Sequence, residues 1–228
     1  MNETRRRAAA GLVLCCKAPQ RSKRRLATQI GDGAATAAEH LLACALEDLA
    51  AWPGETVIAP ASNDDAEWFR HTADECFEMV VQYGDSLGAR INHVDAVLRS
   101  TSRERLIYIG TDCPALDANY LASADRALED HDAVIGPATD GGVVLMGARR
   151  AWPAFADLAW STAELCEQLS ARLLAQNWSI ARLGTLTDVD TVEDLTKARD
   201  GLVSDERTAR RAFLDWLRAT EGVGAVIS

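Results

Sequence analysis

Residues 105–114 read RLIYIGTDCP: four apolar side chains in a row, then a glycine, a threonine, a carboxylate and a proline. A short apolar run without polar alternation is what a strand buried on both faces produces. Here it spans Arg105 to Gly110 and ends abruptly on the small and polar residues of a loop. The same signature recurs in both directions along the chain. Upstream are Gly11 to Cys16, Glu55 to Pro60 and Phe77 to Gln82; downstream are Ala133 to Gly136, Gly142 to Gly147 and Ser179 to Leu183.

Helical stretches separate these runs. Ala34 to Ala51 carries Leu41, Leu42, Ala45, Leu46 and Leu49 at helical spacing. Asp64 to Asp74 and Ser86 to Arg99 read as two more helices, and Asp117 opens another with Tyr120, Leu121, Ala124 and Leu128 on one face. Ser161 and Glu164, and again Thr191 and Asp194, have the spacing of a reciprocal N-terminal cap. Ser204 to Thr220 puts Ala209, Phe213, Trp216 and Leu217 on one stripe, which suits packing on the chain's own core or on a neighbouring copy.

Strands alternating with helices predict an α/β fold: one domain built on a mostly parallel, Rossmann-like sheet with helices on both faces. Ligands of such sheets bind beyond the carboxyl ends of the strands. That rule draws attention to the loops after Cys16 and after Gly110.

Composition agrees with one globular unit. The chain has 228 residues, 48% hydrophobic and 25% charged, with no repeat and no linker rich enough to divide it. Residues 1–10, with Arg5, Arg6 and Arg7 before three alanines, read as a flexible tail ahead of a domain over 11–228. No stretch has the roughly 18 apolar residues that a membrane helix needs. A net charge of −10 argues against nucleic acid as a partner. The six cysteines show no CxxC spacing and several lie in apolar runs, as free thiols do in a reducing compartment. The cytoplasm is the expected location.

Four loops carry polar groups suited to chemistry. The first, Lys17 to Leu26, concentrates Lys17, Arg21, Lys23, Arg24 and Arg25 between a strand and a helix, where cations and backbone amides can hold phosphate. It is neither a P-loop nor a GxGxxG turn. In the second, Asp112 stands at a strand end, suited either to Mg²⁺, which takes one or two protein carboxylates plus phosphate oxygens, or to capping a turn before Pro114. The third, Gly136 to Gly142, contains Asp140-Gly141-Gly142, which reads as a hairpin turn or as a close approach of backbone to ligand. The fourth, Asp188-Val189-Asp190-Thr191, leads into a capped helix, where acidic residues also favour the helix dipole.

In combination these segments resemble the DUF2064 family of the GT-A-like nucleotide-diphospho-sugar transferase superfamily. The resemblance runs over roughly residues 11 to 200. It rests on Lys17-Ala18-Pro19 with Lys23 to Leu26, Gln82-x-Gly84-x-x-Leu87-Gly88-x-Arg90 and Gly110-Thr111-Asp112-Cys113-Pro114. It continues through Gly136-Pro137-Ala138-x-Asp140-Gly141-Gly142, Trp160-Ser161-Thr162 and Asp188-Val189-Asp190-Thr191-x-Glu193-Asp194-Leu195. The resemblance implies metal-dependent transfer from a nucleotide-diphospho-sugar to an acceptor. Asp112 and Asp190 would hold Mg²⁺ or Mn²⁺ and, with Lys23, form the catalytic set. Lys17, Pro19, Lys23, Arg25, Thr111 and Asp112 would meet the nucleotide. Asp140, Gly141, Gly142, Trp160, Ser161 and Thr162 would line the acceptor side.

The sequence departs from the family pattern at two places. Lys23-Arg24-Arg25-Leu26 replaces a Lys-Thr-Arg-Leu run in a shortened, glycine-free first loop, and Val143-Val144 stands where aromatic residues are common. Two other functions fit the same segments. One is nucleotidylyl transfer from an NTP to a phosphorylated acceptor; the other is nucleotide binding without catalysis, which the shortened loop suggests.

Overall fold

The computed structural model describes residues 8–72 and 77–222. Seven strands make one sheet: β1 (Gly11–Cys16), β2 (Thr56–Pro60), β3 (Glu78–Met79), β4 (Leu106–Ile109), β5 (Ala133–Pro137), β6 (Val143–Ala148) and β7 (Ile180–Arg182). Their order across the sheet is β3-β2-β1-β4-β6-β5-β7. Only β6 runs against the others, pairing antiparallel with both β4 and β5. Among the described residues eight α-helices accompany the sheet: α1 (Arg24–Ile30), α2 (Gly33–Ala51), α3 (Asn63–Thr72), α4 (Leu87–Arg99), α5 (Ala118–Asp130), α6 (Leu165–Leu174), α7 (Val192–Gly201) and α8 (Thr208–Gly222). The expected single-domain, mostly parallel α/β architecture is the one observed.

Both faces of the sheet are covered, which is why its strands are apolar without alternation. On β1, Leu12, Leu14 and Cys16 join the core under α2 and α5, while Val13 points to the core under α4 and α6. On β4, Ile107 and Ile109 face the first core, and Leu106 and Tyr108 the second. A third cluster lies outside the sheet, where Leu41 and Cys44 of α2 meet Phe213 and Leu217 of α8 and Leu195 of α7. The stripe on α8 is thus spent on the chain's own core. Each side chain buried this fully contributes about 1.5–3 kcal/mol relative to exposure.

Several boundaries differ from the sequence reading. The strand expected over Phe77 to Gln82 is regular only at Glu78 and Met79, although the N–H groups of Val80 and Gln82 still donate to the Ile58 and Pro60 carbonyl oxygens at 3.0 and 2.9 Å. Residues 73–76, which include the last two of the helix expected over Asp64 to Asp74, lie outside the described residues, as do residues 1–7 of the basic tail; Ala10 is buried, and its N–H donates to Asp125 at 2.9 Å. Helix α8 starts at Thr208 rather than Ser204. Ser161 and Glu164 do not cap α6: Glu164 is the N-cap residue without a side-chain bond, and Ser161 has φ 62°. A tertiary contact overrides the local signal there. The first turn of α6 is fixed on the β5–β6 hairpin, where the Cys166 N–H donates to the Gly141 carbonyl oxygen at 3.0 Å. By contrast, Thr191 and Asp194 form the reciprocal cap that their spacing predicts.

Candidate active site

The parallel strands end on one rim, and the polar loops meet there. β1 leads into Lys17 and a 3-10 turn over Pro19–Arg21. The buried carboxylate of Asp65 anchors this loop, accepting the Ala18 N–H at 2.9 Å and the Ser62 hydroxyl at 2.6 Å. Lys23 follows as the residue capping α1, in a left-handed conformation at φ 52°. Its stem turns inward, leaving the side chain 3% exposed.

The Lys23 ammonium stands between two carboxylates. Nζ lies 2.7 Å from Asp112 Oδ1 and 3.2 Å from Asp190 Oδ1, and it also donates to the Val189 carbonyl oxygen. An ammonium has three donors, and all three are used. Burial, the largest single effect, pushes its pKa down, but Asp112 and Asp190 outweigh burial and hold it above the ordinary lysine value. The carboxylates remain reachable, with Asp112 45% and Asp190 35% exposed. Asp112 is also fixed by Thr111, whose hydroxyl donates to Oδ1 at 2.9 Å, and by Val189, whose N–H donates to its carbonyl oxygen at 2.8 Å.

Two more acids complete the cluster. The chain from Leu186 to Asp190 runs beside the β5–β6 turn, bonded through Leu186 N–H to Pro137 and through Thr139 N–H to Leu186. This brings Asp188 near Asp140. Burial, then the charges of Asp140, Asp190 and Asp112, push the Asp188 carboxyl up to about 6. Four acids thus share one rim with Lys23 and with Arg25, which reaches Asp190 Oδ2 and the Ser161 carbonyl oxygen, each at 3.4 Å. The excess of oxygen donors and negative charge suits a hard dication. Among the described residues, no three His, Cys, Asp or Glu side chains are gathered to hold a metal. Two of these carboxylates, Asp112 and Asp190, converge on one point, the Lys23 ammonium.

The same first loop also lines a basic cleft of about 430 Å³, formed by Lys17, Gln20, Arg21, Arg24, Ala61, Ser62, Asp65 and Arg90. Arg21 is paired with Asp64 at 2.7 Å. Arg90 is braced through Nε on the Gly84 carbonyl oxygen at 2.9 Å. Lys17, Arg24 and Arg90 have no carboxylate partner among the described residues. Arg21 and Arg24 belong to the basic run that the sequence offers for phosphate, and Arg90 ends the Gln82-to-Arg90 motif, but none of the three is in the residue set that the family resemblance implies.

Not every expected residue faces this rim with a free group. Pro19 is buried in the first loop and shapes it. Trp160 donates its indole N–H to the Phe155 carbonyl oxygen at 2.9 Å and packs on the second core. The Thr162 hydroxyl donates to the Ala159 carbonyl oxygen at 2.8 Å. Asp140 Oδ1 accepts the Gly142 N–H at 2.8 Å, and Gly141, at φ 90°, turns the hairpin tightly against Ala163. Cys113, next to Asp112, is buried, and burial pushes its thiol up to about 12.

A family model described as "uncharacterized protein conserved in bacteria (DUF2064)" matches residues 41–162, more than half of the chain. The chain belongs to the DUF2064 family. That match spans Asp112 and the Gln82-to-Arg90 motif, while Lys23 and Asp190 fall outside it. No curated protein matches. Among solved structures, this DUF2064 chain is similar to one from Desulfovibrio desulfuricans G20, described as a candidate nucleotide-diphospho-sugar transferase. The two are 25% identical over 95% of this chain and 97% of that one, with a TM-score of 0.86. Two more distant likenesses concern the fold alone. A CMP:2-keto-3-deoxy-manno-octonic acid synthetase in complex with CTP is 14% identical over 85% of this chain and 98% of that one, TM-score 0.54. Rv0371c from Mycobacterium tuberculosis H37Rv, in complex with manganese, is 15% identical over 83% of this chain and 97% of that one, TM-score 0.52.

Proposed function

We propose that this chain is a metal-dependent transferase acting on a nucleotide-diphospho-sugar. The observation that carries the reading is the Asp112–Lys23–Asp190 cluster at the carboxyl ends of the parallel strands, on the same first loop that lines a basic cleft. The similarity to the Desulfovibrio protein supports it. Lys17, Arg24 and Arg90 would hold the phosphates by charge-assisted bonds, and Asp112 and Asp190 would hold Mg²⁺ or Mn²⁺. The dication would supply charge neutralisation on the departing diphosphate. Thr111 and Val189 keep Asp112 oriented, and the hairpin at Asp140 to Gly142 borders the space left for an acceptor. Preset positions of this kind lower the barrier because no reorganisation is needed when charge develops.

One observation favours a second reading, nucleotidylyl transfer from an NTP. The cleft presents four cationic side chains, Lys17, Arg21, Arg24 and Arg90, against a single carboxylate, Asp65, and a triphosphate would use more of that charge than a diphosphate.

Thermal melts with NTPs, NDPs and NDP-sugars, each with and without Mg²⁺ or Mn²⁺, separate these readings. A ligand at a hundred times its Kd adds roughly 2.7 kcal/mol of stability. Metal-dependent stabilisation by an NDP-sugar, lost in Asp112→Asn, is the expected result, with nucleoside diphosphate as the product of turnover. Stabilisation by an NTP alone, with pyrophosphate released, would move the assignment to nucleotidylyl transfer. A nucleotide that stabilises equally well without metal and in Asp112→Asn would overturn both in favour of binding without catalysis.

A further inference from the structure

Lys23 occupies the one place where the two candidate metal ligands meet. Its nitrogen shares Asp112 Oδ1 and Asp190 Oδ1, and its third hydrogen bond goes to a carbonyl oxygen next in sequence to Asp190. A dication held by Asp112 and Asp190 would draw on the oxygens that the ammonium now uses. That puts it in or beside the gap already filled by the ammonium, so the two cations repel while drawing on the same negative charge. From this we infer that the Lys23 ammonium is a built-in competitor of the divalent cation: it holds Asp112 and Asp190 together, and cation entry displaces it. The inference rests on the metal role assigned to Asp112 and Asp190 above.

Local structure permits the exchange. Lys23 carries its conformation in the backbone, where its carbonyl oxygen accepts the Ala27 N–H at 2.9 Å and starts α1. Its side chain can leave the carboxylates without unwinding that turn. Asp190 is not set free either, since Arg25 holds its other oxygen and the Asp194 carboxylate accepts its N–H at 3.2 Å. Neither carboxylate is sealed from solvent, so a cation can reach both. The displaced ammonium stays tethered to the first loop, at the edge of the cleft where phosphates would lie.

The test is calorimetric titration of Mn²⁺ into chelator-treated wild type, Lys23→Met, Lys23→Gln and Asp112→Asn, without nucleotide. Removing the competitor should tighten Mn²⁺ binding about tenfold in both Lys23 variants, the size of an ordinary coupling between two ligands. Lys23→Gln keeps a donor for the Val189 carbonyl oxygen, so its gain cannot be ascribed to collapse of the loop. Both variants should melt below wild type without Mn²⁺ and recover more than wild type does when it is added. Unchanged or weaker Mn²⁺ binding in the Lys23 variants, with binding lost in Asp112→Asn, would overturn the competition and leave the metal assignment standing. Equal Mn²⁺ affinity in wild type and Asp112→Asn would overturn the metal assignment itself.

Discussion

Gly88 belongs to a motif that could be read as chemistry, yet its reason is steric. A Cβ added there would lie 2.1 Å from the Phe155 carbonyl oxygen, because α4 packs its first turn directly on that backbone. Gly88→Ala should therefore cost about 1–3 kcal/mol as an overpacked contact. Gly201, at the end of α7 with no atom within 4 Å of an added Cβ, is the matched control. Gly201→Ala should stabilise by about 0.4–1 kcal/mol by restricting the unfolded chain. Urea midpoints of the two variants check both signs. The same motif shows what a sequence leaves ambiguous. Gln82 is buried and donates its amide to the Ala59 carbonyl oxygen at 2.6 Å, whereas Arg90 reaches the cleft. Spacing groups these residues; only the packing around them separates structural roles from functional ones. Lys23 is the clearest case. Its charge within a basic run pointed toward phosphate, but its left-handed backbone turns it to Asp112 and Asp190, and no residue-type rule predicts that for lysine.

Among the elements, those whose signals are local were legible. Strands β1, β2 and β4 follow from apolar runs, and α5 follows from Asp117, whose side chain accepts the Tyr120 N–H at 2.7 Å. The cap of α7 is equally readable, and it bears on the site because Thr191 follows Asp190. Thr191→Ala should cost about 1 kcal/mol, read as a lowered melting midpoint. Asp194 adds a pH signature to the same cap. Burial alone would raise its carboxyl pKa, but the Thr191 hydroxyl and the N–H groups of Asp190 and Thr191 prevail and hold it below the usual range. A depressed carboxyl stabilises the fold above its unfolded value near 3.9 and loses that contribution as pH falls through the folded value. Asp194→Asn should thus be less stable than wild type at pH 7, and the gap should narrow on acidification below pH about 4. A pH-independent gap would mean that the charge has no part in the cap. The failure at Ser161 and Glu164 has the opposite origin: α6 begins where the β5–β6 hairpin fixes it, and that contact joins residues distant in sequence.

At the scale of the molecule, α8 braces the loop that carries Asp112. Arg210 is fully buried, and its guanidinium donates to the carbonyl oxygens of Pro114, Leu116 and Cys44 while pairing with Asp48 and Glu47 of α2. Arg207 adds a bond to Leu116 at 2.7 Å. Arg210 of α8 and Arg207 just before it thus tie α2 to the segment following Asp112, a tie over more than ninety residues that no local pattern announces. Cysteines report on it without added labels. Cys44 lies on α2 and Cys113 beside Asp112, each pushed up to about 12 by burial, while Cys16 ends β1 inside the sheet and is raised as well. A thiol reacts as thiolate, so all three should be inert toward an alkylating reagent in the native protein at pH 8. In wild type the three thiols should therefore react together, at the denaturant concentration of global unfolding. Arg210→Met leaves Asp48 and Glu47 without their main partner, a loss of about 3–5 kcal/mol for a broken buried pair. That loss falls on the α2–α8 contact and on the Asp112 loop rather than on the sheet. In Arg210→Met, Cys44 and Cys113 should label at lower urea than Cys16, a local opening seen before the core gives way. Simultaneous labelling of all three at a lower midpoint would mean that α8 and the sheet unfold as one unit, and that the brace stabilises the whole fold rather than the loop.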